Sequence, residues 1–170
     1  MKKILIILVA IASLHAADND LYDNAIALTM GYDGIGAYSG WGYGLRVDRN
    51  LNTSEGTFNL DAMQLAVDYV RLGTAQREYA VRVGANALWF IENDEEWMPF
   101  VKIGTGVQFF DGTEKIAAGN YFFGTLGGGI EYQMRPDTSL VAEVVDHYSF
   151  AGENSLRAAV SLKYSFGQSY

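Results

Sequence analysis

The chain has 170 residues, 49% of them apolar and 14% aromatic, with 19 Gly, 2 Pro, no Cys and a formal charge of −8. The length suits one domain; the lack of cysteine excludes disulfides, thiolate metal sites and a cysteine nucleophile, and the acidic balance argues against nucleic acid as a partner. Eleven Tyr, nine Phe and three Trp beside so many glycines favour an all-β chain, because aromatics suit strands while glycine weakens helices.

Lys2 and Lys3 precede an apolar stretch, Ile4 to Leu14, which gives way to His15-Ala16-Ala17 and then to polar Asp18-Asn19-Asp20. This is the order of a secretory signal, too short to span a bilayer. Cleavage is expected after Ala16, with Ala17 as the alternative, so residues 1–16 are read as signal peptide and 17–170 as the exported domain.

Ile26, Leu28, Met30 and Tyr32 alternate with Ala25, Ala27, Thr29 and Gly31, the period of two that marks a strand. Asp33-Gly34 and Ser39-Gly40 read as turn signals before a second strand, in which Trp41, Tyr43, Leu45 and Val47 alternate with Gly42, Gly44, Arg46 and Asp48. A polar link from Arg49 to Thr57 follows. Ala62 to Leu72 could form a helix, but Met63, Leu65, Val67 and Tyr69 alternate with Gln64, Ala66 and Asp68, which favours a third strand. The fourth opposes Tyr79, Val81, Val83, Ala85, Ala87 and Trp89 to Ala80, Arg82, Gly84 and Asn86. After the acidic turn Glu92 to Glu96, Val101, Ile103, Thr105, Val107 and Phe109 alternate with Lys102, Gly104, Gly106 and Gln108.

Asp111-Gly112 opens a loop into a glycine-rich sixth strand with Phe122, Leu126, Ile130 and Tyr132 on one face and Thr125, Gly127, Gly129 and Glu131 on the other. Arg135-Pro136-Asp137 turns the chain into a seventh strand, where Leu140, Ala142 and Val144 oppose Ser139, Glu143 and His147. The eighth sets Leu156, Ala158, Val160, Leu162, Tyr164 and Phe166 against Arg157, Ala159, Ser161, Lys163 and Ser165.

Alternation alone is shared by a soluble lipocalin-like barrel, apolar within, and a membrane barrel, apolar without. The small residues favour the second: Gly42, Gly44, Ala66, Ala80, Gly84, Gly104, Gly106, Gly127, Gly129 and Ala159 suit a cramped interior better than a wet exterior. Among them stand Arg46, Arg82, Lys102, Arg157 and Lys163 against Asp48, Asp68, Glu131 and Glu143, charges able to pair inside. Tyr32, Trp41, Trp89, Phe109, Tyr132, Tyr148 and Phe166 lie near strand ends, as interfacial girdles require. The expected fold is an eight-stranded antiparallel up-and-down transmembrane β-barrel.

Over about residues 24 to 166 the chain resembles the small outer-membrane barrels of the OmpA/OmpX type. The features that carry the likeness are Pro99-Phe100 followed by Gly104-Thr105-Gly106-Val107, the run Gly127-Gly128-Gly129-Ile130-Glu131-Tyr132, and a last strand ending Leu162-Lys163-Tyr164-Ser165-Phe166. In that family the terminal aromatic strand is the signal for the outer-membrane assembly machinery; here Gly167 to Tyr170 extend beyond Phe166, and Tyr170 keeps its parity. The resemblance implies a monomer in the cell outer membrane, among its lipid and lipopolysaccharide, with both termini in the periplasm. Loops near 33–40, 71–78, 111–119 and 150–155 then face outward.

The segment His147-Tyr148-Ser149-Phe150-Ala151-Gly152 also resembles the His-x-Ser stretch of PagL-type lipid A deacylases. That likeness implies His147 as base and Ser149 as nucleophile. Phe150 stands where that family has Asn, and Leu156-Arg157-Ala158 holds no acid early in the last strand. Strand parity turns His147 inward, unless a β-bulge near Asp146 shifts it. No cofactor or metal is expected, since one His beyond the signal and no Cys leave little but carboxylates as ligands. The acidic turn lacks calcium-loop spacing. The function expected is structural or interactive through surface loops, without an open pore; the alternatives are the deacylase and a small-solute porin.

Overall fold

The computed structural model describes residues 23–51, 60–73, 78–91, 97–111, 117–150 and 153–167. The signal segment, the acidic turn and Tyr170 lie outside them. Eight strands follow one another: β1 (Asn24–Ile35), β2 (Tyr38–Asn50), β3 (Ala62–Leu72), β4 (Tyr79–Phe90), β5 (Trp97–Phe110), β6 (Gly119–Arg135), β7 (Thr138–Ser149) and β8 (Ser155–Phe166). Each pairs antiparallel with the next, and β8 returns to β1, closing the barrel.

The stagger of the barrel can be followed through its registered pairs. Starting at Asn24 and stepping through Arg49, Met63, Ala87, Ile103, Leu126, Asp146 and Leu156, the path re-enters β1 at Gly34, ten residues beyond its start. With eight strands, such a stagger sets a tilt of about 40° to the barrel axis. Closure also leaves no unpaired sheet edge.

The period of two places alternate residues in opposite surroundings. Leu28, Leu126 and Leu162 point outward, 69%, 66% and 54% exposed, whereas Arg82 and Arg157 on the opposite face are essentially inaccessible. A soluble protein does not present so broad an apolar belt to water, and a bilayer removes the penalty for it. Tyr32 and Trp41 meet edge to face near one end of the belt, and Trp97 and Tyr132 meet near the other.

The first turn departs from the sequence reading. Asp33 pairs with Gly40 and Gly34 with Ser39, so residues 33–35 and 38–40 belong to strands, and the chain reverses at Gly36-Ala37, with Gly36 at φ 55°. Asp-Gly is a strong hairpin signal in isolation, but ladder pairing carries the strands past it. Arg71, Leu72, Gly119 and Ser155 likewise lie in strands rather than loops. β7 alternates without interruption through Asp146, as the inward reading of His147 requires, and the register irregularity between β6 and β7 falls between Gln133 and Arg135. The glycine-rich β6 spans 17 residues and is well paired on both sides.

Bulky apolar side chains also occur inside, beyond the small, polar and charged residues that the alternation assigned there. At the end away from the chain termini, Ile35, Val70, Leu72, Ala80 and Phe110 cluster with Tyr38 and Tyr121. At the terminal end, Ala62, Leu88, Phe100 and Val141 pack with Phe90. The charged layer lies between these two apolar layers.

Nitroxide labels at 160, 161 and 162 should report lipid, occluded and lipid surroundings in turn, by collision with oxygen and a water-soluble relaxant; water contact at 160 and 162 would reject this orientation. Val160→Arg, near mid-belt, should destabilise the inserted barrel by about 2–4 kcal/mol in denaturant titrations in vesicles.

Candidate functional site

All eight strands send a charged side chain into the middle layer. Asp33 on β1 receives Arg82 of β4 on one carboxylate oxygen and Arg157 of β8 on the other, the latter at 2.7 Å. Arg157 continues to Asp68 on β3 at 3.2 Å, and Asp68 accepts Arg46 of β2 at 2.8 Å. Arg46 lies 3.6 Å from Glu143 on β7, which also holds Lys102 of β5. Nearer the chain termini, Lys163 contacts Glu131 of β6 at 2.9 Å and Asp48 at 3.4 Å. Gln64 extends this group, donating to Asp48 at 2.9 Å and accepting from Asn86 at 3.3 Å.

The nine inward charges read from the sequence are thus all present in the network. Asp33 is the member that the sequence reading missed, because it was assigned to a turn. Continuing the alternation of β1 two residues past Gly31 would have found it. Its inclusion balances five cations with five carboxylates, so each buried charge has an opposite neighbour, the condition under which buried ions are tolerated. Gly42 and Gly44 make the room: a Cβ at 42 would stand 2.9 Å from an Arg157 nitrogen and 3.1 Å from an Asp33 oxygen, and one at 44 would collide with the Asp68 carboxylate.

His147 and Ser149 occupy the inward side of β7, beyond this network toward the end away from the termini. The His147 ring lies edge to face on Phe123, with centroids 5.0 Å apart, and Nδ1 is 3.4 Å from Thr125 Oγ1. Its Nε2 and the Ser149 Oγ are enclosed without hydrogen-bond partners, while the Ser149 amide donates to Asn154 Oδ1 at 3.2 Å. No carboxylate ion-pairs with His147 among the described residues. Phe150 points outward, and Arg157, near the start of β8, is bound to Asp33. The structure therefore gathers base and nucleophile candidates on one strand face without an acid to orient the imidazole. No set of three or more His, Cys, Asp or Glu positioned to hold a metal ion occurs among the described residues.

A closed eight-stranded barrel with an apolar exterior and an ion-paired interior has the fold of the small outer-membrane barrels. A major outer membrane protein from Thermus thermophilus matches with a TM-score of 0.61 at 16% identity, over 84% of this chain and 99% of that one. The outer membrane enzyme PagL matches at 0.57 and 14% identity, over 82% and 99%. The N-terminal β-barrel domain of Pseudomonas aeruginosa OprF does so at 0.55 and 13%, over 86% and 100%. At these identities the likeness is one of fold. No family model matches the sequence, and no curated protein matches it.

Asp33→Asn should leave Arg82 and Arg157 facing each other without their shared carboxylate. We expect a loss of about 3–5 kcal/mol in reversible urea unfolding from vesicles, the cost of breaking a buried pair from one side. A loss below about 1 kcal/mol, the range of exposed pairs, would show the network to be dispensable.

Proposed function

We propose that the chain is an exported barrel of the cell outer membrane, complete as a monomer, structural in role and interacting through the segments between strands, with a sealed interior. The carrying observation is the inverted radial order: apolar side chains outside, paired charges within, and an apolar layer capping those charges at either end. Lipid accounts for the exterior, and the folds it is similar to belong to outer-membrane proteins. The short apolar stretch at residues 4–14 supports export, and the terminal aromatic strand ending at Phe166 supports delivery by the outer-membrane assembly machinery. With both termini in the periplasm, the Gly36-Ala37 turn and the connections after β3, β5 and β7 face the exterior beside lipopolysaccharide.

A barrel of eight strands is just wide enough for its side chains to fill. A cavity of about 20 Å³ beside Arg46, Asp48, Gln64 and Lys163 offers room for one water molecule rather than a continuous file. The resemblance to PagL supplies no further support for lipid hydrolysis, because His147 and Ser149 face the interior and Phe150 carries no oxyanion donor.

Planar-bilayer recordings should show no sustained, uniform conductance steps; such steps from the monomer would replace this reading by a small-solute porin. Folded protein incubated with lipopolysaccharide should leave its acyl chains in place. Acyl release abolished by both His147→Ala and Ser149→Ala would instead establish the deacylase.

A further inference from the structure

Among the described strand residues, two charges interrupt the outward face toward the end away from the termini, and they have opposite signs. Asp146 on β7 is exposed between Val144 and Tyr148 of its own strand, with Leu126 and Leu156 beside it on the neighbours. Arg71 on β3 is exposed between Trp41 and Tyr79, which pair with it from β2 and β4. Neither has an ion-pair or hydrogen-bond partner among the described residues. This sets them apart from the interior charges, each of which has one. Four strands separate β3 from β7 in either direction around the barrel, and once the strand tilt is counted the two charges stand about 135° apart around its wall. The stagger raises Arg71 only about 7 Å above Asp146 along the axis, a difference that a long arginine side chain spans.

The surfaces around the two charges also complement each other. An open groove of about 740 Å³ adjoins Asp146, bounded by Gly34, Tyr148, Glu153, Asn154 and Leu156, so that a second carboxylate stands at its rim. Gly34 offers no side chain there, and a Cβ added to it would meet only a Leu156 carbonyl oxygen at 3.9 Å. On the far side, Trp41 and Tyr79 project around Arg71.

We propose that this groove receives the Arg71 face of a second copy of the chain, so that barrels associate head to tail in the plane of the membrane. The inference rests on the outer-membrane reading above. In lipid, two apolar faces gain nothing from the hydrophobic effect by meeting, so lateral association depends on packing and polar contacts. An ionisable side chain inside the belt is costly when alone and marks a functional contact, which applies to Asp146; Arg71 stands among the girdle aromatics Trp41 and Tyr79, where an arginine is tolerated and free to turn toward a partner. Here the complementary cation is on the same chain but on the wrong side of the barrel to reach it. A contact between unlike faces leaves one Asp146 and one Arg71 free at the ends, so the association extends as a row unless it closes into a ring. Each barrel is complete by itself, and the contact joins finished monomers.

The chain has no cysteine, so introduced thiols report alone. Val67 and Val144 face outward below the two charges, and Val67→Cys and Val144→Cys leave both charges intact. In vesicles where labelling has shown the barrels to be inserted, a short bismaleimide should join the two variants when mixed, leave each alone largely uncoupled, and produce a ladder from the double variant. Asp146→Asn should lower coupling about fivefold or more, and Arg71→Asp combined with Asp146→Arg should restore it. Coupling of either single variant to itself as strongly as in the mixture would overturn the proposal. So would absent coupling, or coupling indifferent to Asp146→Asn, as expected if lipid-borne cations occupy the groove. Failure to insert would be seen in the labelling step and would count against the membrane reading instead.

Discussion

The whole architecture depends on Asp33 holding two arginines at once. Arg82 and Arg157 reach it from β4 and β8, and through Arg157 the contact passes to Asp68, Arg46, Glu143 and Lys102. A barrel that surrenders its apolar side chains to lipid cannot fill its interior with the same residues. It must enclose polar groups, and enclosed charge is tolerable only when paired with good geometry. The network meets that demand while tying together strands far apart in sequence, β1 to β4 and β2 to β7.

Other features follow from accommodating those pairs. Long cationic side chains inside a narrow barrel need bare backbone opposite them, which Gly42 and Gly44 provide. The seam between β1 and β8 carries its own internal bond, Thr29 to Ser161 at 2.7 Å, beside the Asp33–Arg157 pair. Closure is thus fastened from within as well as by the backbone ladder. The apolar layers at both ends limit water access to the charges, which strengthens each pair by lowering the local dielectric.

The same logic separates the two kinds of charge on this molecule. Interior charges are matched within one chain because the barrel brings facing strands within reach. Asp146 and Arg71 look away from each other, and neither has a partner among the described residues.

Strand number, the inward or outward sense of the residues read as strand and the membrane-type inversion were legible in the sequence, because side-chain direction in a strand repeats every two residues and the chemistry of the two faces differs. His147 was correctly placed inward by that count. The extent of β1 and β2 was not legible: Asp33-Gly34 has the local chemistry of a turn, and only pairing with Ser39 and Gly40 makes it strand. The apolar layers at the ends were equally hidden, since Ile35, Leu72, Leu88 and Phe110 follow the inward parity but resemble belt residues in composition. Periodicity is a property of one strand and can be read along it. Which charge meets which, and which side chains meet at the ends, depends on the ten-residue stagger between strands, a quantity that exists only once the barrel closes.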